Sequence, residues 1–126
     1  MASALPGGGT VHTLEISDEK AMEARANFDK AGMTDRIVLT KGHALNILAG
    51  MEIPFDLIFL DANRSEYMGL KPHLVRLLNP GGLLVCDNAV SHETELWPFM
   101  EAFKKGGEFT TCIVPVGKGE FLAYKL

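Results

Sequence analysis

The end of the chain leaves the fewest choices. Residues 109–116 (Phe-Thr-Thr-Cys-Ile-Val-Pro-Val) and 120–124 (Glu-Phe-Leu-Ala-Tyr) are two strand-like runs, separated only by Gly117-Lys118-Gly119. A parallel connection between neighbouring strands needs about a dozen residues or more. These two runs can pair only as an antiparallel hairpin, and any fold for the chain has to end in one.

Upstream the segments alternate in type. Residues 11–16 (Val-His-Thr-Leu-Glu-Ile) read as a strand. Ser17 then offers an N-cap, Asp18 and Glu19 put negative charge in a first helical turn, and Gly32 supplies a stop. Between them Ala21, Ala24, Phe28 and Ala31 recur on one helical face. A second strand is expected over 36–40 and a short helix over 44–50, with Ala44, Leu45, Ile47 and Leu48 inward. Residues 55–60 form a third strand, apolar almost throughout, as expected when helices cover both faces. Tyr67, Leu70, Leu74 and Leu77 mark another helix, in which Pro72 either kinks the chain or pins the first turn. Asn79-Pro80-Gly81-Gly82 is a turn signal, 83–86 a fourth buried strand, and Leu96, Phe99, Met100 and Phe103 a further helical stripe. Strands alternating with amphipathic helices predict α/β layers around a mostly parallel, Rossmann-like sheet, here closed by an antiparallel hairpin. With no repeat and no linker, residues 1–126 are expected to form one domain.

Composition removes several classes of function. The 126 residues are 47% hydrophobic and 22% charged, which suits one globular core. A net charge of −4 without a dense Lys/Arg run argues against a nucleic-acid partner. No apolar run approaches the roughly 18–20 residues that span a bilayer, so no membrane partner is expected. The opening Met-Ala-Ser-Ala-Leu-Pro lacks the basic and apolar regions of a secretory signal, which leaves the cytoplasm as the expected location. Cys86 and Cys112, far apart and in apolar strands, are expected to be buried free thiols.

Ligands of open parallel sheets lie beyond the carboxyl ends of the strands. Acids stand at three such ends: Glu15, Asp61, and Asp87 followed by Asn88. Singly, each suits an ordinary strand-to-helix turn. Together, Asp61, Asp87 and Asn88 offer only oxygen donors, which fit Mg²⁺, Ca²⁺ or Mn²⁺ better than zinc. If the third and fourth strands adjoin, these residues stand about 5 Å apart, close enough to share an ion. A divalent ion there would lower the pKa of a phenolic hydroxyl from about 10 and so prepare an attacking oxyanion. Glu15, on another strand, suits the two hydroxyls of a ribose.

The stretches Phe55-Asp-Leu-Ile-Phe-Leu-Asp-Ala62, Asn79-Pro-Gly-Gly82, Val85-Cys-Asp-Asn88 and Thr13-Leu-Glu-Ile16, with the closing Gly-Lys-Gly turn, resemble the metal-assisted O-methyltransferases. These are class I S-adenosylmethionine-dependent enzymes of the catechol and caffeoyl-coenzyme A type. The resemblance implies that Glu15 binds the cofactor ribose and that Gly42, His43 and Ala44 lie by the adenine. It also implies that Asp61, Asp87 and Asn88 hold the metal, with Asp61 counted at the cofactor as well, and that the substrate is a small phenolic aromatic. Where the family carries an acid near position 43 this chain has His43, which either touches the adenine or caps the short helix. Where the family reads Asp-Ala-Asp-Lys, with the lysine as base, this chain reads Asp61-Ala62-Asn63-Arg64. Arginine stays protonated, its pKa being above about 12. Arg64 is therefore expected to stabilise a phenolate by charge, and His92 is the alternative base. Tyr67 and Trp97 line an aromatic pocket or pack in the core.

The family's first strand and its glycine-rich loop have no counterpart, since no strand precedes Gly7-Gly8-Gly9. Either strands 11–16 and 55–60 pair directly, another chain fills the slot, or the sequence is part of a longer product. Unpaired apolar edges favour a homo-oligomer, expected here as a dimer. Two other readings stand beside the enzyme: a non-catalytic methyltransferase remnant or dimerising partner, and a nicotinamide-dependent dehydrogenase. The absence of G-x-G-x-x-G and the terminal hairpin weaken the last.

Overall fold

A computed structural model describes residues 1–126 as two compact units, Met1–Ile47 and Leu48–Leu126. In the first unit β1 (Val11–Glu15) and β2 (Ile37–Lys41) pair in parallel, from Val11 opposite Ile37 to Glu15 opposite Lys41. Helix α1 (Asp18–Lys30) joins them. It starts where expected: the Ser17 hydroxyl accepts the Lys20 N–H at 3.3 Å, and Asp18 and Glu19 occupy the first turn. It stops at Gly32, whose φ of +64° lets the Met33 N–H turn back to the Phe28 carbonyl. Ala21 is buried, whereas Ala31 is exposed. The predicted stripe therefore ends a turn early, because Ala31 is the C-cap and lies past the last residue that faces inward. The Arg36 guanidinium donates to the carbonyls of Leu5, Pro6 and Gly9 and so ties down the segment before β1. Helix α2 (Ala44–Gly50) follows β2; its apolar residues are only half-buried.

The second unit carries a four-stranded sheet in the order β3-β4-β6-β5. Strand β3 (Phe55–Leu60) runs parallel to β4 (Leu78–Cys86), and β6 (Glu120–Lys125) pairs antiparallel with both β4 and β5 (Phe109–Val114). The closing hairpin thus forms as its spacing requires. The expected turn at residues 79–82 is instead absorbed into β4 as a bulge: Phe55 faces Leu78, but Leu57 faces Leu83. The Asn79 amide donates to Asp56 across that bulge at 2.9 Å.

Helices α3 (Tyr67–Leu77) and α4 (Glu93–Lys104) cover one face of this sheet. Leu70, Leu74, Leu77, Leu96, Phe99, Met100 and Phe103 pack onto Leu84, Cys86, Phe121 and Ala123, all buried. Phe99 stands 5.0 Å from Phe103 and 5.3 Å from Tyr67, ring centre to ring centre. Each such side chain contributes about 1.5–3 kcal/mol by leaving water. Pro72 lies in the second turn of α3 and so does not pin the first. The Lys125 ammonium accounts for the end of α3, donating to the carbonyls of Val75 and Leu78.

The other sheet face differs from expectation. Leu57 is 43% and Phe59 50% exposed, so β3 is covered on one side only. The two cysteines also diverge: both are free, with Cys86 buried and Cys112 exposed on that open face.

Candidate functional site

In the second unit the parallel ladder sets Leu60 opposite Cys86, and the Asp87 N–H extends it to the Leu60 carbonyl. Asp61 and Asp87 are therefore neighbours at the carboxyl ends of β3 and β4. Because Leu60 and Cys86 point into the core, alternation turns the next residue of each strand toward the open face. On the far side of β4 the antiparallel ladder sets Phe121, also buried, opposite Cys86. Glu120 then flanks Asp87 on that same open face. Two of these acids were legible as a pair; Glu120 was not singled out. The signal that would have found it is the hairpin, whose return strand must start beside the end of β4.

These charges register on their neighbours. Burial pushes the Cys86 thiol up to about 12, with Glu120, Asp87 and Asp61 adding to the rise. Burial likewise pushes the Tyr67 hydroxyl up to about 12, and the Asp61 charge raises it further. The Glu120 carboxyl is raised first by loss of water, then by the Asp87 charge and a hydrogen bond shared with it, and then by Asp61. Such a bond needs a proton on one partner. With both ionised, Oε2 of Glu120, shielded from solvent, has no donor.

Asn88 follows on a tightly held loop. It is 9% exposed and adopts a φ of +68°, a left-handed conformation that asparagine tolerates better than most residues. Its N–H donates to Oδ1 of Asp87 at 2.6 Å, and the Ser91 hydroxyl lies 3.5 Å from its own Oδ1. The hairpin tip clasps this loop. Ala89 donates to the Gly119 carbonyl at 2.8 Å, while Val90 and Ser91 both donate to that of Lys118. A Cβ on Gly119 would fall 2.4 Å from the Val90 side chain at a φ of +87°, so only glycine serves. The Gly-Lys-Gly turn thus anchors the loop bearing Asn88 and starts the strand bearing Glu120.

Asp61, Asp87 and Asn88 therefore come together at adjoining strand ends, although no three His, Cys, Asp or Glu side chains already surround a common point. Arg64 is engaged elsewhere, its Nε bonded to Glu95 of α4 at 2.9 Å. His92 sits on the Asn88 loop: its N–H donates to the Asn88 carbonyl, and its Nδ1 lies 2.9 Å from the Ser91 hydroxyl. Tyr67 is buried in the core, with its hydroxyl oxygen accepting the Ala62 N–H. Trp97 is 49% exposed, so of its two expected uses core packing does not occur. It borders a surface hollow of about 290 Å³ with Glu93 and Thr94, beneath the Lys104 ammonium. The α4 stripe of Leu96, Phe99, Met100 and Phe103 turns Trp97 outward.

In the first unit Glu15, Gly42 and His43 share the carboxyl end of the β1–β2 ladder. The Gly42 N–H donates to the Glu15 carbonyl, and one Glu15 carboxylate oxygen accepts the Ser17 N–H at 2.9 Å. The His43 carbonyl accepts from Asn46 and Ile47, starting α2 through its backbone just ahead of Ala44.

The sequence model of a family described as O-methyltransferase matches residues 1–126. A catechol O-methyltransferase of Niastella koreensis is 38% identical over 94 residues, covering 71% of this chain and 42% of that protein. Caffeoyl-CoA O-methyltransferase 1 of Eucalyptus globulus is 27% identical over 99% of the chain and 60% of its own length. Among solved structures, the O-methyltransferase from Bacillus cereus in complex with SAH superposes with a TM-score of 0.90 at 27% identity, over 99% of this chain and 66% of that one. The chain spans about two fifths to two thirds of these relatives' lengths.

Proposed function

The chain belongs to the O-methyltransferase family, and from that premise we propose that it carries the cation- and cofactor-facing part of an S-adenosylmethionine-dependent enzyme that methylates a hydroxyl of a small catechol-type aromatic. The reading rests on one observation above the rest: two aspartates adjoin at neighbouring strand ends, and an asparagine follows the second of them, its N–H bonded to that carboxylate. The relative named catechol O-methyltransferase and the SAH-bound neighbour support it.

The donors fit a hard divalent cation, Mg²⁺ foremost, with Ca²⁺ or Mn²⁺ as alternatives. All are oxygens, and the buried, partnerless Oε2 of Glu120 marks a spot short of positive charge. Asp61, Asp87 and the Asn88 side-chain carbonyl would hold that ion, and Glu15 would accept the ribose hydroxyls while Gly42, His43 and Ala44 border the adenine. When bound, the cofactor supplies an electrophilic methyl group and the cation a positive charge that favours the ionised form of a phenol. The protein's own work is placement. The Asn88 N–H fixes the Asp87 carboxylate, the hairpin tip fixes Asn88, and Arg64 adds positive charge nearby if it leaves Glu95. His92, on the Asn88 loop, is the side chain suited to take a proton.

The engagement of Arg64 with Glu95 favours a second reading, a non-catalytic member of the family that binds partners rather than turning over substrate. Calorimetric titration with S-adenosylhomocysteine, with and without Mg²⁺, separates the two. The enzyme reading expects heat that depends on Mg²⁺ and vanishes in Asp87→Ala; silence under both conditions overturns it. We extend the reading to association of copies, supported by the position of β3 at the end of its sheet and the exposure of Leu57 and Phe59. A stable monomer in light scattering would remove that part. No helix is long and apolar enough to cross a membrane.

A further inference from the structure

The ladder between β3 and β4 reaches its last backbone bond where the Asp87 N–H meets the Leu60 carbonyl. Continued by one rung, a parallel ladder would bond the Ala62 N–H to the Asp87 carbonyl. Both groups take side-chain partners instead. The Ala62 N–H donates to the Tyr67 hydroxyl oxygen at 3.3 Å, and the Cys86 thiol donates to the Asp87 carbonyl at 3.7 Å. The Tyr67 hydroxyl and the Cys86 thiol also engage each other. We propose that Tyr67 is a positioning residue whose hydroxyl, with Cys86 as the second link, sets the spacing of Asp61 and Asp87 from the buried side of the sheet. The inference rests on the reading of those two aspartates given above and adds what fixes one relative to the other.

The missing rung is thus replaced by a path through two side chains, from the residue after Asp61 to the backbone of Asp87. Water does not compete for it, since Tyr67 is 1% and Cys86 0% exposed. The core around them is otherwise apolar, with Leu70, Leu84, Phe99 and Phe121 all buried. Burying a hydroxyl costs free energy unless it is bonded, and phenylalanine would fill the same space without that cost. What the hydroxyl adds is a fixed acceptor for an N–H that the ladder no longer serves. Tyr67 is also the first residue of α3, so the bond ties the end of β3 to the start of that helix. Asp87 is held by the ladder itself, and Asp61 is held by what happens at Ala62.

Tyr67→Phe removes the hydroxyl and keeps the ring. It is compared, in the full chain, with Phe103→Leu, a core change beside Phe109 at the other end of β6 from the partner of Cys86. Amide hydrogen exchange at Ala62 reads the hold directly, and calorimetric titration with S-adenosylhomocysteine in Mg²⁺ reads its use. Tyr67→Phe is expected to speed exchange at Ala62 about tenfold and to weaken the titrated affinity about three- to tenfold. Phe103→Leu should lower the melting temperature at least as far and leave both readouts unchanged. Unchanged exchange at Ala62, or an affinity loss no larger than that of Phe103→Leu, overturns the positioning role and leaves the proposed function standing. No heat from wild type overturns both. If Tyr67→Phe does not fold, Cys86→Ala replaces it: the second link is cut, weaker binding is expected, and unchanged binding overturns the assignment.

Discussion

The two units differ in what holds them together. Of the side chains that form the buried apolar core, only Ala2 and Ala21 belong to Met1–Ile47, while every large one belongs to Leu48–Leu126. Strands β1 and β2 form a two-stranded sheet, and a two-stranded ribbon without a packed core is marginal by itself. The four-stranded sheet instead carries two helices and a string of aromatic contacts on one face. Residues suited to a cation therefore sit on a self-supporting frame. Glu15 and Gly42, proposed above for the nucleoside, sit on a weak one. Cation binding should survive perturbations that abolish nucleoside binding.

The largest test of that contrast is a matched pair of truncations. Phe99→Ala empties a fully buried site in the second unit and should cost about 3–5 kcal/mol in urea unfolding. Phe28→Ala removes a half-buried ring in the first unit and should cost about 1 kcal/mol. Equal losses would mean that the first unit has a core of its own. A second pair uses glycines at turns. Gly119→Ala drives a methyl group into Val90 and should lower stability by roughly 1–3 kcal/mol. Gly32→Ala meets open space and should cost only the left-handed backbone penalty, about 1–2 kcal/mol. Thermal melts that rank Gly32→Ala as the worse of the two would break the comparison.

Sequence patterns revealed some of this and hid the rest for physical reasons. Local rules sufficed for the capped α1, for the stripe of α4 and for the hairpin, because each depends on residues within a turn or two. Asp61 and Asp87 could be paired in advance because both end strongly apolar strands. Glu120 could not, since a glutamate after Gly-Lys-Gly looks like any solvated turn residue until the ladder with β4 is known. The open face of β3 was equally hidden: Leu57 and Phe59 are as apolar as Ile58 and Leu60, and composition cannot say which face finds a cover. The exposure of Cys112 follows from the same ambiguity, and residues 79–82 read as a turn because a bulge inside a strand uses the same glycines.

An alkaline transition sharpens the contrast in a different way. Burial raises the Cys86 thiol from 9.0 and the Tyr67 hydroxyl from 10.0, each to about 12, and both groups belong to the second unit. The folded state therefore holds these protons more tightly than the unfolded chain. Their contribution to stability is complete below about pH 9 and is lost as pH rises toward 12. Denaturant midpoints should fall over that window, and Cys86→Ala should flatten the fall. Thiol labelling offers a direct check at lower pH: Cys112 should react in the native protein and Cys86 only on unfolding. Equal labelling of both would mean that the second unit opens as readily as the first.

The smallest expected effects lie at the surface, where the units should respond alike in stability and differently in binding. Ser17→Ala removes a single exposed cap from α1 and should cost about 1 kcal/mol at most. Arg64→Ala removes a partly exposed ion pair with Glu95 and should cost about 0.2–1 kcal/mol. Losses this small cannot reshape the packed unit, so Arg64→Ala should leave Mn²⁺ affinity unchanged. Ser17, however, sits two residues after Glu15 and holds its carboxylate through the turn. In a unit without a core, even a slight loosening of α1 should reach Glu15. Ser17→Ala should therefore weaken S-adenosylhomocysteine binding in calorimetry more than its stability loss alone implies. If both variants leave that affinity untouched, the supposed weakness of the first frame has no bearing on function.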